Sequence, residues 1–84
     1  MSQAPTAGLV EMLTALAKGL VDHPDQVRVE ADARGETTVL NLIVAPEDLG
    51  QVIGRGGRIA RALRLILREA AFRTGVRVSL EIVD

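Results

Sequence analysis

The 84-residue chain contains no cysteine, tryptophan or tyrosine, and it has one phenylalanine and one histidine. Without cysteine there is no disulfide framework and no thiolate metal site, as is usual in a reducing cytoplasm. A lone histidine, His23, cannot gather the several convergent ligands that a metal centre needs. It sits in Asp22-His23-Pro24-Asp25, which reads as the polar end of a helix before a proline. Ser79 has no base near it in sequence, so no activated nucleophile is visible. No cofactor or metal is expected, and an enzyme is the weakest of the functional readings. No apolar run approaches the roughly 20 residues of a membrane span. The opening MSQAPTAG carries no basic segment, so a secretory signal is not expected. These absences describe a cytoplasmic chain with no membrane association.

A chain this short rarely supports two cores, so one domain over residues 1–84 is expected, with 1–6 as a flexible N-terminus. Such a domain hides only about 60% of the surface its unfolded chain exposes, and its stability is modest. A 48% apolar and 25% charged composition with a mean hydropathy of +0.23 belongs to a folded domain, not a disordered tail. The net charge of −1 conceals a division. Residues 1–48 hold three basic side chains against eight acidic ones, a balance of −5. Residues 49–84 hold seven arginines against three acids, a balance of +4. From Leu49 to Arg68 there are five arginines and no acid. Asymmetry of this kind favours an anionic partner over a merely solvated basic face.

Leu9, Met12, Leu13, Leu16 and Leu20 recur at helical spacing and predict a first helix, with Thr6 as its N-cap and an end by His23. Pro24 disfavours helix at the residue before it. Val27 to Asp32 alternates as a half-buried strand, and Arg34-Gly35 supplies a tight turn. Thr38, Leu40, Leu42 and Val44 line one face of a second strand. Val39 and Ile43 make its other face apolar, as in the middle of a sheet. Pro46-Glu47-Asp48 opens a short helix that Gly54 ends, since proline and acids suit a first turn. A longer helix runs from about Gly57 to Thr74, where Gly75 offers a left-handed stop. Val76 to Ile82 alternates as a third strand. The order α-β-β-α-α-β predicts an α+β fold. Its hairpin pairs strands one and two antiparallel, and the helical crossover makes strands two and three parallel neighbours. One three-stranded mixed sheet with helices packed on one face accounts for every apolar stripe.

Gly54-Arg55-Gly56-Gly57 joins the last two helices with almost no loop. Unpaired amides and the positive dipole end at the start of the long helix form a natural phosphate seat, flanked here by Arg55 and Arg58. The bland alternative is that the glycines merely permit a tight turn. Two other phosphate loops are excluded. A dinucleotide fingerprint would need glycine where Ile59 stands, and a Walker loop would need Gly-Lys-Ser/Thr where Ile59-Ala60-Arg61 stands. On a helical wheel Arg58, Arg61, Arg64 and Arg68 share a sector of about 120°. Ile59, Leu63, Ile66, Leu67 and Ala70 are expected to face the sheet. Arg58 and Arg61 are near enough to the turn to share its ligand, whereas Arg64 and Arg68 are left to solubility or long-range attraction. Leu65 and Phe72, at i and i+7, lie beside the arginines. Two readings stand for them: partial cover by the first helix, or a contact surface for another subunit.

With VIGRGGRIARAL on the page, the chain resembles the KH domain, whose signature is Val-Ile-Gly-x-x-Gly-x-x-Ile between two helices. Val52, Ile53, Gly54, Gly57 and either Ile59 or Ala60 carry the match. The element order is that of the prokaryotic, type II KH fold. Across nearly its whole length, in LVDHPDQVRV, VAPEDLGQVIGRGGRIARALR and VRVSLEIVD, it resembles the KhpA family of small bacterial single-KH RNA-binding proteins. The resemblance implies a GxxG loop, Gly54 to Gly57, clamping about four nucleotides of single-stranded RNA, with bases in an apolar groove drawn from Val52, Ile53 and Ile59. Arg55, Gly56, Arg58 and Arg61 complete the implied RNA-binding set. Gly56 departs from the usual pattern by lacking a side chain, which leaves Arg55 as the polar side chain inside the loop and softens the grip. One aromatic ring is too few for the stacking platforms of RRM or OB domains, and a KH reading does not need one. The family further implies homodimerisation or pairing with a larger KH-containing bacterial protein. It also implies a role as RNA chaperone or post-transcriptional regulator, and links to cell elongation and envelope homeostasis.

Overall fold

The structure, a computed structural model, describes residues 5–84. Helix α1 (Pro5–Leu20) is followed by strands β1 (Arg28–Arg34) and β2 (Thr37–Ile43), helices α2 (Leu49–Ile53) and α3 (Arg58–Thr74), and strand β3 (Arg77–Ile82). Single 3₁₀ turns occupy Pro24–Gln26, Pro46–Asp48 and Arg55–Gly57. The α-β-β-α-α-β order of the sequence reading stands. Thr6 lies inside α1 and is not its cap. Residues 1–4 of the expected flexible N-terminus lie outside the described residues.

The sheet runs β1-β2-β3. β1 and β2 are antiparallel from Arg28↔Ile43 to Arg34↔Thr37, so the hairpin has a two-residue turn. β2 and β3 are parallel from Thr37↔Arg77 to Leu42↔Ile82. β2 is central, which is why its side chains are apolar on both faces. Leu40 and Leu42 point into the helical layer and are fully buried, joined by Val44 just beyond the strand.

Helix α1 buries Leu9, Leu13 and Ala17, while Met12, Leu16 and Leu20 pack half-buried beside them. Helix α3 is rotated from its expected setting. Its buried stripe is Ala60, Leu63, Leu67 and Ala71, and Ile66 is 41% exposed. The expected stripe is Ile59, Leu63, Ile66, Leu67 and Ala70. Leu63 and Leu67 stand as expected and Ile59 and Ala70 pack half-buried beside them, while Ala60 and Ala71 are buried as well and, at i, i+3, i+7 and i+11 with the two leucines, complete the helical stripe. Ile66 is displaced to the rim of an apolar groove between α1 and α3, which Leu16, Leu20, Ile59 and Ala62 also line.

Candidate nucleic-acid interface

Helix α2 has five residues and enters its C-terminal turn through Gly54, whose amide donates to the Gly50 carbonyl at 2.8 Å. Gly54 adopts φ +77° and ψ 168°, a region essentially confined to glycine. A Cβ there would also lie 2.8 Å from the backbone nitrogen of Ile59. Gly56 (φ +65°, ψ 17°) and Gly57 (φ +78°, ψ 16°) are both left-handed. Gly56 has open space where a Cβ would stand, so its requirement is conformational, not steric. The missing side chain at the second variable position is thus the residue that lets the turn adopt this path without strain.

Gly57 donates to the Gly54 carbonyl at 3.0 Å, and the Arg58 amide donates to the Arg55 carbonyl. Two of the amides at the start of α3 are therefore spent inside the turn. The amides of Arg55 and Gly56 have no acceptor among the described residues. Successive free amides at a left-handed turn form a small concavity suited to an anion.

Arg55, Arg58 and Arg61 are exposed around that turn. The ion pairs among the described residues are His23–Asp48, Arg28–Glu30 and Arg34–Asp32, and none involves the arginines of the turn or of α3. Their charge is not cancelled locally. Arg61 folds back so that its Nη1 donates to the Gly56 carbonyl at 2.9 Å, which brings the fourth residue of α3 to the loop. Arg64 and Arg68 lie elsewhere, lining a recess against Val78, Ser79 and Leu80 of β3.

The apolar members of the set divide. Ile53 is half in solvent and Ile59 is half-buried beside Gly54, so both border the turn. Val52 is fully buried in the core and cannot touch a bound base. Its place in the proposed groove is corrected: it holds α2 down from behind. Leu65 is 49% and Phe72 82% exposed, so α1 does not cover them.

A buried pair escaped the sequence reading. Asp48, just before α2, is 1% exposed, yet its carboxylate makes no cap to its own helix. Its Oδ2 accepts instead from the His23 backbone amide at 2.9 Å and meets the His23 Nδ1 at 2.9 Å. Burial pushes the Asp48 carboxyl up, but the bonds from the His23 ring and amide outweigh it and hold it below its ordinary value. The hydrogen bond to Asp48, and then its charge, raise His23 above its ordinary value, with Glu47 and Asp22 adding to the effect. Each residue looked self-explanatory in sequence, one as a helix end and the other as a helix start. Their 25-residue separation left no local signal.

Two helices joined by a Gly-x-x-Gly turn, over a sheet of this order, define a KH domain of the type II topology. The chain belongs to the KhpA/KhpB family of KH domains, whose model, described as KhpA/KhpB, KH domain, matches residues 10–82. It is 50% identical over 76 residues to the RNA-binding protein KhpA of Leifsonia xyli, covering 90% of this chain and 97% of that one. It is 45% identical over 73 residues to the RNA-binding protein KhpA of Clostridium acetobutylicum, covering 87% and 97%. A crystal structure of Era from Aquifex aeolicus superposes with a TM-score of 0.67 at 18% identity, over 98% of this chain and 31% of that one. That likeness concerns the fold alone. The resemblance read from VIGRGGRIARAL is borne out at the level of the family.

Proposed function

We propose that this chain is a non-catalytic single-stranded RNA-binding protein whose Gly54–Gly57 turn holds the phosphate backbone. The observation that carries this reading is the pair of unpartnered amides, Arg55 and Gly56, within a turn that Arg55, Arg58 and Arg61 surround without an ion pair among the described residues. Amide donors fit phosphate oxygens whatever the base, and Ile53 and Ile59 offer apolar walls to a base beside them. Few contacts of this kind give weak, strongly salt-dependent binding. The relatives named RNA-binding proteins support the same ligand.

The test is fluorescence anisotropy with labelled single-stranded oligoribonucleotides, with the same strand in DNA as competitor. A chain carrying Arg55→Asp and Gly56→Asp is expected to bind more than about tenfold more weakly, because two carboxylates then face the phosphate. Aspartate tolerates left-handed backbone, so the fold should survive, as circular dichroism would verify. Undiminished affinity in the folded double variant would overturn the reading. At the cellular level the reading extends to an RNA chaperone or post-transcriptional regulator acting in cell elongation and envelope homeostasis. Accelerated annealing of complementary strands, lost in the same variant, is the corresponding measurement.

A second reading rests on the exposure of Phe72 and Leu65, large apolar side chains seven residues apart on the outer face of α3. It makes this face a dimerisation surface, for a second copy or a larger KH-containing partner. Phe72→Asp is expected to shift sedimentation towards the monomer while leaving the unfolding free energy within about 0.5 kcal/mol, as for other exposed sites. An unchanged mass distribution argues against this surface.

A further inference from the structure

A helix of five residues cannot hold its own shape in water, so the direction of α2 is set by what grips its ends. Near the glycine turn the grip is Val52, fully buried in the core. At the other end Leu49 packs half-buried against the core, and beside it Asp48 adds a polar tie, its Oδ2 meeting both the backbone amide and the ring of His23. His23 lies in the connection that follows α1. The carboxylate therefore ties the end of α1 to the start of the helix that carries the turn.

We propose that Asp48 and His23 are positioning residues for the Gly54–Gly57 turn, and that RNA affinity consequently depends on whether His23 is protonated. This rests on the reading of the turn as the element that holds RNA. An imidazolium donates a charge-assisted hydrogen bond from Nδ1 to the buried carboxylate. The neutral ring keeps a weaker, uncharged donor in one tautomer, and in the other it turns a lone pair towards the carboxylate. Either change loosens one end of α2. The charged groups that act on the ring are Asp48 and Glu47, from the segment before α2, and Asp22 from its own connection, and all three are acidic. They hold the proton on His23 to a higher pH than an ordinary histidine keeps it. Of the side-chain types whose ordinary titration lies nearest neutral pH, histidine and cysteine, the chain has one histidine and no cysteine.

The experiment measures binding of a labelled oligoadenylate of about ten nucleotides between about pH 5.5 and 8.5. The His23 ring and the Gly54–Gly57 amides are followed in parallel by NMR in the free protein. The wild type is expected to lose affinity about threefold or more as His23 deprotonates, with one midpoint shared by ring, turn amides and binding. His23→Gln is expected to show a flat profile, and so is Asp48→Asn. His23 is only half-buried, so its variant should fold even where loss of the Asp48 charge is not tolerated. The coupling is refuted if the turn amides stay fixed while the ring titrates, or if His23→Gln follows the wild-type profile. If the wild type binds the strand at no pH, the RNA reading fails, and the turn amides still decide the coupling.

Discussion

Gly54 and Gly56 are two residues apart and both have positive φ, yet alanine should cost very different amounts at the two sites. At Gly56 the backbone is ordinary left-handed helix, and nothing lies within reach of a new Cβ. The cost is conformational alone, about 1–2 kcal/mol, from which the stiffer unfolded chain returns a few tenths. At Gly54 the φ and ψ fall where only glycine is common, worth about 1–3 kcal/mol. The new Cβ also meets the Ile59 side chain and the Ile59 backbone nitrogen at 2.8 Å. Backbone cannot rotate away as a side-chain tip can, so α3 must shift at its start, which adds about 1–3 kcal/mol. A domain of this length holds about 4–13 kcal/mol in all. Gly56→Ala should therefore lower Tm by about 3–14 °C, and Gly54→Ala by at least twice the Gly56→Ala shift or to the point of unfolding. Urea denaturation followed by circular dichroism reads both, with an unchanged m-value showing that only stability moved. Equal losses at the two positions, or a Gly54→Ala protein within about 0.5 kcal/mol of wild type, would refute the steric reasoning.

The turn and the β3 side of α3 should separate in the salt dependence of RNA binding. Arg58→Gln is expected to reduce the slope of log K against log salt by about 0.7, one phosphate's share for a single strand, while Arg64→Gln leaves it unchanged. Equal changes in slope would mean that the strand reaches the recess by β3. The His23–Asp48 pair should also appear in stability. The raised His23 contributes fully below its ordinary pKa of 6.5, and that contribution is lost as pH rises through its higher folded value. The lowered Asp48 contributes fully above 3.8, and that is lost as pH falls through its lower folded value. The pair thus acts most strongly between about pH 4 and 6.5. The difference in urea midpoint between wild type and His23→Gln should narrow from pH 6 to pH 9, and a difference constant across that span would count against the pair.

Elements whose cause is local were legible in the sequence. The alternation in β2 and β3, the breaks at Pro24 and Gly75 and the chirality of crossover connections were sufficient to give strand order and direction. The glycine turn was legible for the same reason, because a left-handed path needs glycine wherever it occurs. The facing of α3 was not. The wheel places Leu63 and Leu67 correctly, but weighting by bulk puts Ile66 on the core side, whereas the helix exposes Ile66 and buries Ala60 and Ala71. Val52 was misplaced by the same logic, since a motif residue can serve the motif from inside the core. The His23–Asp48 bond was invisible because both residues fit their local surroundings, and only tertiary structure puts them 2.9 Å apart.

That last omission bears on how the GxxG motif works in a chain of this size. Two free amides can hold a phosphate only if the turn that presents them is already in place; otherwise the cost of ordering it is deducted from weak binding. In this chain the turn is fixed on one side by a seventeen-residue helix with its own buried stripe, and on the other by five residues anchored through Val52 and Leu49 alone. The short side is the vulnerable one. A buried carboxylate held by the histidine after α1 stiffens it at the end farther from the ligand. On the proposed coupling, the three glycines and the arginine of the turn can be intact in sequence while the turn's competence to bind is decided more than 25 positions upstream, at His23.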